Sequence, residues 1–296
     1  MGTQKSLRKL KHPAFRYLPT VAFLIGFLCF LLATVGCASS QPGTPPKTIR
    51  VMTYNIHHGE GVDGKVDVDR IAKLVLDAKA DIVALQEVDR GVERTKRIDI
   101  MTTLSDLTGM TYAFGKTIDY QGGDFGNGFL TRFPILEERN LLYSVNRGGE
   151  QRGLLQLLLD AHGEEIVVMN THLDFHEADS ERVYCTNEIR NAARRYVPRP
   201  IIVCGDFNDE PESRTVAMMQ EEFTDAWEKV GRGAAHTHPV DSAKQRIDYI
   251  FFSKAVSQSE SASRLMLQPV SAWVLPSRAS DHLPLLVEFE LATARQ

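Results

Sequence analysis

Several short runs of this chain are apolar at nearly every position and stop at a polar residue. The clearest is PIIVC at residues 200–204, which Gly205, Asp206 and Asn208 follow. A short run without polar alternation is typical of a β-strand that is buried on both faces. Such strands need a covering layer on each side. The pattern therefore predicts a layered fold of strands and helices.

The rest of the chain extends this pattern. Further strands are predicted at residues 47–54, 81–85, 111–115, 126–132, 135–143, 154–160, 165–170, 246–253 and 284–291. The spacing of apolar residues predicts one helix capped by Asp67, one over residues 97–108 that ends at Gly109, and one over residues 177–196. Because strands outnumber helices, we expect an α/β (α+β) fold in which two β-sheets pack face to face with helices outside.

The first 36 residues indicate an export signal. Five basic residues and no acidic residue lie in residues 1–18, and an apolar run over 21–33 leads through small residues to Cys37. Residues 34–37, which follow the apolar run, resemble a bacterial lipobox, in which Cys37 would be lipidated. Thr34 stands where an aliphatic residue is usual. The alternative is an uncleaved signal anchor. Both predict a protein at the cell membrane or outer membrane that faces the periplasm or exterior.

Residues 37–46 form a predicted flexible linker rich in Pro, Gly and Ser, and residues 47–296 a single domain. Without residues 1–36 the chain has 29 Lys and Arg against 38 Asp and Glu, a formal charge of −9. An acidic domain is poorly suited to sequence-independent binding of nucleic acid. Of the four cysteines, Cys185 and Cys204 fall within this domain, where they could pair or remain as buried free thiols.

Polar residues collect at the ends of the predicted strands. They are Asn55, His57, Glu87, His172, Asp206, Asn208, Asp248, Asp281 and His282. Lone charges beside buried apolar runs are costly, so we expect these side chains to meet at one place. Oxygen donors without a cluster of Cys favour Mg²⁺ or Mn²⁺ over structural zinc.

Six of these segments together resemble the endonuclease/exonuclease/phosphatase superfamily, the group with the DNase I-like fold. They are TYNI at residues 53–56, LQE at 85–87, NTHLD at 170–174, GDFN at 205–208, IDYI at 247–250 and SDHLP at 280–284. The resemblance runs from residue 48 to residue 290 in the family's order. It implies a four-layer sandwich and a Mg²⁺-dependent hydrolase of phosphodiesters or phosphomonoesters.

The resemblance also implies roles for single residues. Glu87 and Asn55 would hold the metal ion, and Asp281 would serve a second metal position or support the first. Asp206 would orient or deprotonate the attacking water, although the pair of His282 and Asp248 could supply the base instead. Asn208 would hold a phosphate oxygen, His172 would contact the phosphate, and Asn127 would bind the substrate.

Other residues near these motifs are less specific. His57 stands where some nucleases carry a carboxylate ligand, which leaves the number of metal ions open. His236 and His238 are predicted to be exposed. Arg152 could contact an anionic substrate, although a solvated side chain is the usual state of an arginine. Arg90, Arg94, Lys96 and Arg97 could form a local basic rim.

Together these features predict an exported, membrane-tethered phosphoesterase that requires Mg²⁺ or Mn²⁺. Its substrate would be a phosphodiester such as a phospholipid or sphingolipid headgroup, or a small phosphorylated molecule. The alternative is an exported metal-dependent nuclease, which the acidic charge does not favour. A binding module without catalysis is a weaker hypothesis, because Glu87, Asp206, Asp248 and His282 are all present. The sequence indicates no protein partner.

Overall fold

The computed structural model describes residues 47–144, 149–254 and 265–293. The predicted export signal, the linker and Cys37 lie outside the described residues. Within these ranges, no helix combines the length and apolarity needed to cross a bilayer.

Two mixed six-stranded sheets form the centre of the described residues. The first has the order β11-β12-β1-β2-β4-β3, and the second β5-β6-β7-β8-β10-β9. The pairs β1/β2 and β7/β8 are parallel, and their neighbours pair antiparallel. The strands are β1 (Lys47–Asn55), β2 (Ile82–Arg90), β3 (Thr111–Tyr120), β4 (Gly123–Thr131), β5 (Ile135–Leu142), β6 (Gly153–Ala161), β7 (Glu164–His172), β8 (Ile201–Asp206), β9 (Phe223–Asp225), β10 (Asp248–Ser253), β11 (Leu265–Val274) and β12 (Leu285–Thr293).

Helices cover the outer face of each sheet. They are α1 (Val68–Asp77) and α2 (Ile100–Thr108) on the first sheet and α3 (Ser180–Arg194) and α4 (Arg214–Glu222) on the second, while α5 (Ala226–Val230) packs against the core between the sheets. The Asp67 side chain accepts a hydrogen bond from the backbone N–H of Arg70 and so caps α1, as predicted. Gly109 ends α2 with a φ of 69°, a conformation that costs glycine little.

Three hydrophobic cores account for strands that are apolar on both faces. In β1, Ile49 and Val51 belong to the core between the sheets, whereas Met52 and Tyr54 pack towards α1 and α2. A third core joins the second sheet to α3 and α4, and it contains Cys185. The predicted layers of helix, sheet, sheet and helix are therefore confirmed. Cys185 and Cys204 are both buried and free.

Several strands differ from the prediction, and the difference in β2 matters for the cleft. β2 does not end at residue 85 but continues to Arg90, with a register shift between Leu85 and Val88. Glu87 lies in this bulge with a φ of 58°. A bulge turns a side chain out of the normal alternation of a strand. β11 was missed because it is an edge strand, interrupted by Pro269, that lacks a continuous apolar run.

Candidate active site

Seven of the nine predicted strand-end residues line one cleft at the edge of the two sheets, whereas His57 and Asp248 do not line it. The cleft has a volume of about 320 Å³ and is lined by Asn55, Glu87, Arg94, Ile118, Tyr120, Phe125, Glu150, Arg152, His172, Phe175, Asp206, Asn208, His238, Asp281 and His282. In the parallel pairs, β1 presents Asn55 at its carboxyl end, and β7 and β8 end in His172 and Asp206. The carboxyl ends of parallel strands lie at one edge of a sheet, which brings these side chains together.

Asn55 joins the two sheets at the centre of the cleft. Its amide Nδ2 donates to Glu87 Oε1 at 3.0 Å and to Asp206 Oδ2 at 3.0 Å. Its Oδ1 accepts the backbone N–H of His57 at 3.0 Å. Two carboxylates from different sheets thus converge on one neutral amide. The Asn55 amide itself carries no charge, so it does not neutralise the two acidic groups that it joins.

Asp206 is 1% exposed and lies between two imidazoles. His172 Nε2 is 3.6 Å and His282 Nε2 is 3.7 Å from the same Asp206 oxygen, Oδ2. Burial and the nearby Asp248 carboxylate raise the pKa of Asp206 to about 7. Asp206 is therefore a carboxyl group that exchanges a proton near neutral pH.

The local backbone holds Asp206 in place. Gly205 has a φ of 152°, and a Cβ at this position would overlap the Thr171 carbonyl oxygen. β7 and β8 can therefore approach this closely only with glycine at position 205. The backbone N–H of Asn208 donates to Asp206 Oδ1 at 2.9 Å, and its side-chain Nδ2 donates to the Leu173 carbonyl at 3.0 Å.

His282 is held by Asp248, the first residue of β10. Its Nδ1 lies 2.9 Å from Asp248 Oδ2, and both side chains are buried. Burial alone would lower the pKa of His282, but the carboxylates of Asp248, Asp206 and Asp281 outweigh it and raise this pKa to about 10. His282 is thus an imidazolium at neutral pH. Asp248 does not line the cleft and acts on it through His282.

Two of the assigned residues have less direct positions. Asp281 lines the cleft and accepts a hydrogen bond from Ser280 Oγ at 3.1 Å. Asn127 is buried in β4, where its amide donates to the Gly153 carbonyl at 3.3 Å, and it does not line the cleft. Asn127 therefore does not contact a substrate bound in this cleft, as its predicted role would require.

Several residues that line the cleft were not assigned to it from the sequence, among them Glu150, Arg152, Phe175 and His238. Arg152, expected to be solvated, is 4% exposed, and its Nη1 lies 3.0 Å from His172 Nδ1. His238, expected to be exposed, is half-buried with its ring centroid 4.6 Å from that of His282. The candidate residues were chosen because they follow predicted strands. Arg152 precedes a strand and His238 lies in a loop, so neither was selected.

Arg90 and Arg94 of the basic rim are paired with acidic side chains. Arg90 Nη2 lies 2.5 Å from Asp124 Oδ2, and Arg94 binds both oxygens of the buried Asp89 carboxylate at 2.8 Å. Within the cleft, the acidic Glu150 lies 3.0 Å from Arg152 Nη1. The entrance thus carries little free positive charge from these arginines. Phe175, which is 65% exposed, adds an apolar surface to the cleft.

Comparisons with known proteins give a consistent result. Residues 52–282 match the model of the endonuclease/exonuclease/phosphatase family. An uncharacterised protein of Escherichia coli strain K12, YbhP, is 31% identical over 264 residues, which cover 82% of this chain and 97% of YbhP.

Two solved structures share the fold. One is a mannosyl-6-phosphatase of Bacteroides thetaiotaomicron VPI-5482, with a TM-score of 0.66, 20% identity, and coverage of 81% of this chain and 99% of that chain. The other is the catalytic domain of human Nocturnin with bound sulfate, with a TM-score of 0.65, 22% identity, and coverage of 83% and 94%.

Proposed function

The chain belongs to the endonuclease/exonuclease/phosphatase family and is a hydrolase of phosphoester bonds, and on this premise we propose that it is an exported, membrane-tethered phosphoesterase that uses Mg²⁺ or Mn²⁺. The observation that carries the proposal is the convergence at Asp206. One of its oxygens lies 3.0 Å from the Asn55 amide and within 3.7 Å of the Nε2 atoms of His172 and His282. A carboxylate that exchanges protons near pH 7, set between two imidazoles, suits the activation of water for attack on phosphorus.

The residues of the cleft fit a divalent metal ion. Glu87, Asn55 and Asp281 all line the cleft and offer oxygen donors, the type that Mg²⁺ and Mn²⁺ prefer. Glu87 and Asp206 both accept a hydrogen bond from the Asn55 amide, which brings two carboxyl groups to one place. Glu87 and Asn55 would hold the ion, with Asp281 as a further donor. When bound, such an ion would stabilise negative charge on the phosphoryl oxygens.

The side chains of this protein would carry the proton transfers. Asp206 would accept a proton as the water oxygen forms its bond to phosphorus. His282, held as an imidazolium by Asp248, would donate a proton to the leaving oxygen as the P–O ester bond breaks. Asn208 and His172 would hold the phosphoryl oxygens. The proton lost by water and the proton gained by the leaving group balance over the reaction.

The charges around the cleft favour a small or membrane-borne phosphoester over nucleic acid. A polyanion needs several free Lys or Arg side chains to neutralise its phosphates. Here Arg90 and Arg94 are engaged by Asp124 and Asp89, and Glu150 places an acid in the cleft. Phe175 offers an apolar surface to the part of the substrate outside the phosphate. We therefore propose a phospholipid or sphingolipid headgroup, or a small phosphorylated molecule, as the substrate class.

Export and tethering are proposed from the basic start, the apolar run and Cys37. The test is fractionation of cells that express the full chain. We expect the protein in the membrane fraction, carrying a lipid on Cys37, and we expect Cys37→Ala to lose the lipid. A protein that retains residues 1–36 and stays in the cytoplasmic fraction would contradict export.

A substrate panel tests the proposed activity. The purified full chain would be supplied with Mg²⁺ or Mn²⁺ and given phospholipid and sphingolipid vesicles, a small sugar phosphate, a chromogenic diester, and single- and double-stranded DNA. We expect hydrolysis of a lipid or small phosphoester that changes little between 50 and 200 mM salt. A nuclease with six to ten phosphate contacts would instead lose about 10³- to 10⁵-fold in affinity over roughly that range. DNA cleavage with such a salt dependence would overturn the substrate assignment.

A further inference from the structure

Arg152 is a buried cation that the proton transfers described above do not use. It immediately precedes β6, lines the cleft and is 4% exposed. Its Nη1 lies 3.0 Å from His172 Nδ1 and 3.0 Å from Glu150 Oε1. Arg152 thus lies against the side of the His172 ring that faces away from Asp206.

The chemistry of the two groups decides where the His172 proton lies. A guanidinium has only N–H donors and no acceptor. His172 Nδ1 must therefore accept the hydrogen bond and carry no proton. The proton of the neutral ring then lies on Nε2, the atom that is 3.6 Å from Asp206 Oδ2 in the cleft.

The surroundings of His172 agree with a neutral ring. His172 is buried, and the positive charges of Arg152 and His282 are nearby. Burial, Arg152 and His282, in that order, lower the pKa of His172 well below its ordinary value. A protonated His172 would also turn an N–H towards the guanidinium, which cannot accept it.

The two histidines beside Asp206 are therefore in different states. Asp248 is a carboxylate that accepts from Nδ1 of His282, whereas Arg152 donates to Nδ1 of His172. One ring is a cation that can release a proton, and the other is a neutral ring that can only donate a hydrogen bond from Nε2. Asp248 thus makes His282 a proton donor, and Arg152 makes His172 a hydrogen-bond donor.

We propose that Arg152 is a positioning residue that fixes His172 as the Nε2–H tautomer, so that His172 donates a hydrogen bond to a non-bridging phosphoryl oxygen. The inference rests on the proposed function for the identity of the acceptor. It gives the buried guanidinium, whose Nε finds no hydrogen-bond partner in the described residues, a reason to lie at this position. His172 keeps its proton throughout the reaction, and Arg152 does not touch the reacting atoms.

Nitrogen NMR of the resting full-chain protein tests the tautomer without any substrate. The His172 ring, assigned by comparison with His172→Gln, is expected to show a protonated Nε2 and an unprotonated Nδ1. An Nδ1–H tautomer or an imidazolium at neutral pH would overturn the proposal. Since this measurement uses the unaltered chain, it decides the question even if a substitution at Arg152 prevents folding.

Kinetics of variants test the function of the tautomer. Arg152→Met removes the donor and is expected to lower kcat about 10- to 100-fold, as loss of an orienting partner commonly does, with KM nearly unchanged. Arg152→Lys keeps a donor and is expected to keep the tautomer. Arg132→Met is the matched control, since Arg132 lies near Asp81 at the start of β2 and outside the cleft. A large rise in KM for Arg152→Met with kcat unchanged would mean that Arg152 binds substrate directly, and would overturn the proposal.

A double variant separates an effect through His172 from any other. In a His172→Gln background, Arg152→Met is expected to cost less than about threefold more, because the two residues act as one unit. Full additivity of the two losses would contradict the proposal. A protein that shows the Nε2–H tautomer but hydrolyses no phosphoester would instead contradict the proposed function.

Discussion

His282 Nδ1 lies 2.9 Å from Asp248 Oδ2, and the two side chains are 6% and 1% exposed. Asp248 begins β10 beside the last residue of β8, with Asp248 and Asp206 paired in register. His282 lies in the loop before β12, and β12 pairs with β1 in the first sheet, whereas β10 belongs to the second. The pair therefore joins the two sheets and places an imidazolium beside Asp206.

We expect Asp248→Asn to reduce kcat by about 10²-fold or more, within the range found for loss of acid–base assistance. The amide cannot stabilise the imidazolium, so the pKa of His282 should fall from about 10 towards its ordinary value. Proton NMR titration of the metal-free protein would measure this fall. Asp241→Asn, at an exposed ion pair with Arg278, is the control. An unchanged His282 pKa in Asp248→Asn would show that other carboxylates hold the charge.

Gly205→Ala should destabilise the fold and displace Asp206. The added Cβ meets the Thr171 carbonyl oxygen, and the positive φ is unfavourable for alanine. Strain of about 1–3 kcal/mol and overpacking of a similar size together predict a loss of about 3 kcal/mol or more in the free energy of unfolding. Urea denaturation would measure it.

Gly163→Ala is the matched control, since Gly163 also has a positive φ but open space around its Cβ position. It should cost only about 1–2 kcal/mol, the strain of a left-handed residue. Equal losses for the two variants would show that contact with Thr171 does not constrain β8.

Cys185 and Cys204 should resist alkylation in the folded protein. Both thiols are buried and free, and burial raises the pKa of Cys185 to about 12 and that of Cys204 further. The thiolate is the reactive form, so little should react with iodoacetamide even at pH 9. Both should react in urea without a reductant. Mass spectrometry would count the labels, and a failure to label in urea without reductant would indicate a disulfide.

The strand-end residues could be predicted because the signal for them is local. In β8 a continuous apolar run leads directly to Gly205 and Asp206, and in β1 the largely apolar residues 51–54 lead to Asn55. The pairs β1/β2 and β7/β8 are parallel, so the polar residues at their carboxyl ends lie at one edge of each sheet.

Other features of the cleft could not be predicted because they depend on contacts between distant segments. Glu87 faces the cleft because of a bulge in β2, and residues 85–88 contain no sequence pattern that predicts this bulge. Asn170 of β7 donates to the carbonyls of Leu85 and Gly128 in the other sheet and so fixes the distance between the sheets. Arg152 lies buried beside His172, which is 20 residues further along the chain.

Glu87 and Asn55, with Asp281 as a further donor, are proposed to form one divalent-ion centre for phosphoester hydrolysis. The direct test is a titration of the metal-free protein with Mn²⁺ or Mg²⁺, in which ion binding by calorimetry and turnover of a chromogenic phosphodiester are followed together. We predict that binding and activity rise in parallel, and that Glu87→Gln loses both while Glu93→Gln, at an exposed position on the rim, keeps both. Full metal-dependent turnover by Glu87→Gln would contradict the account.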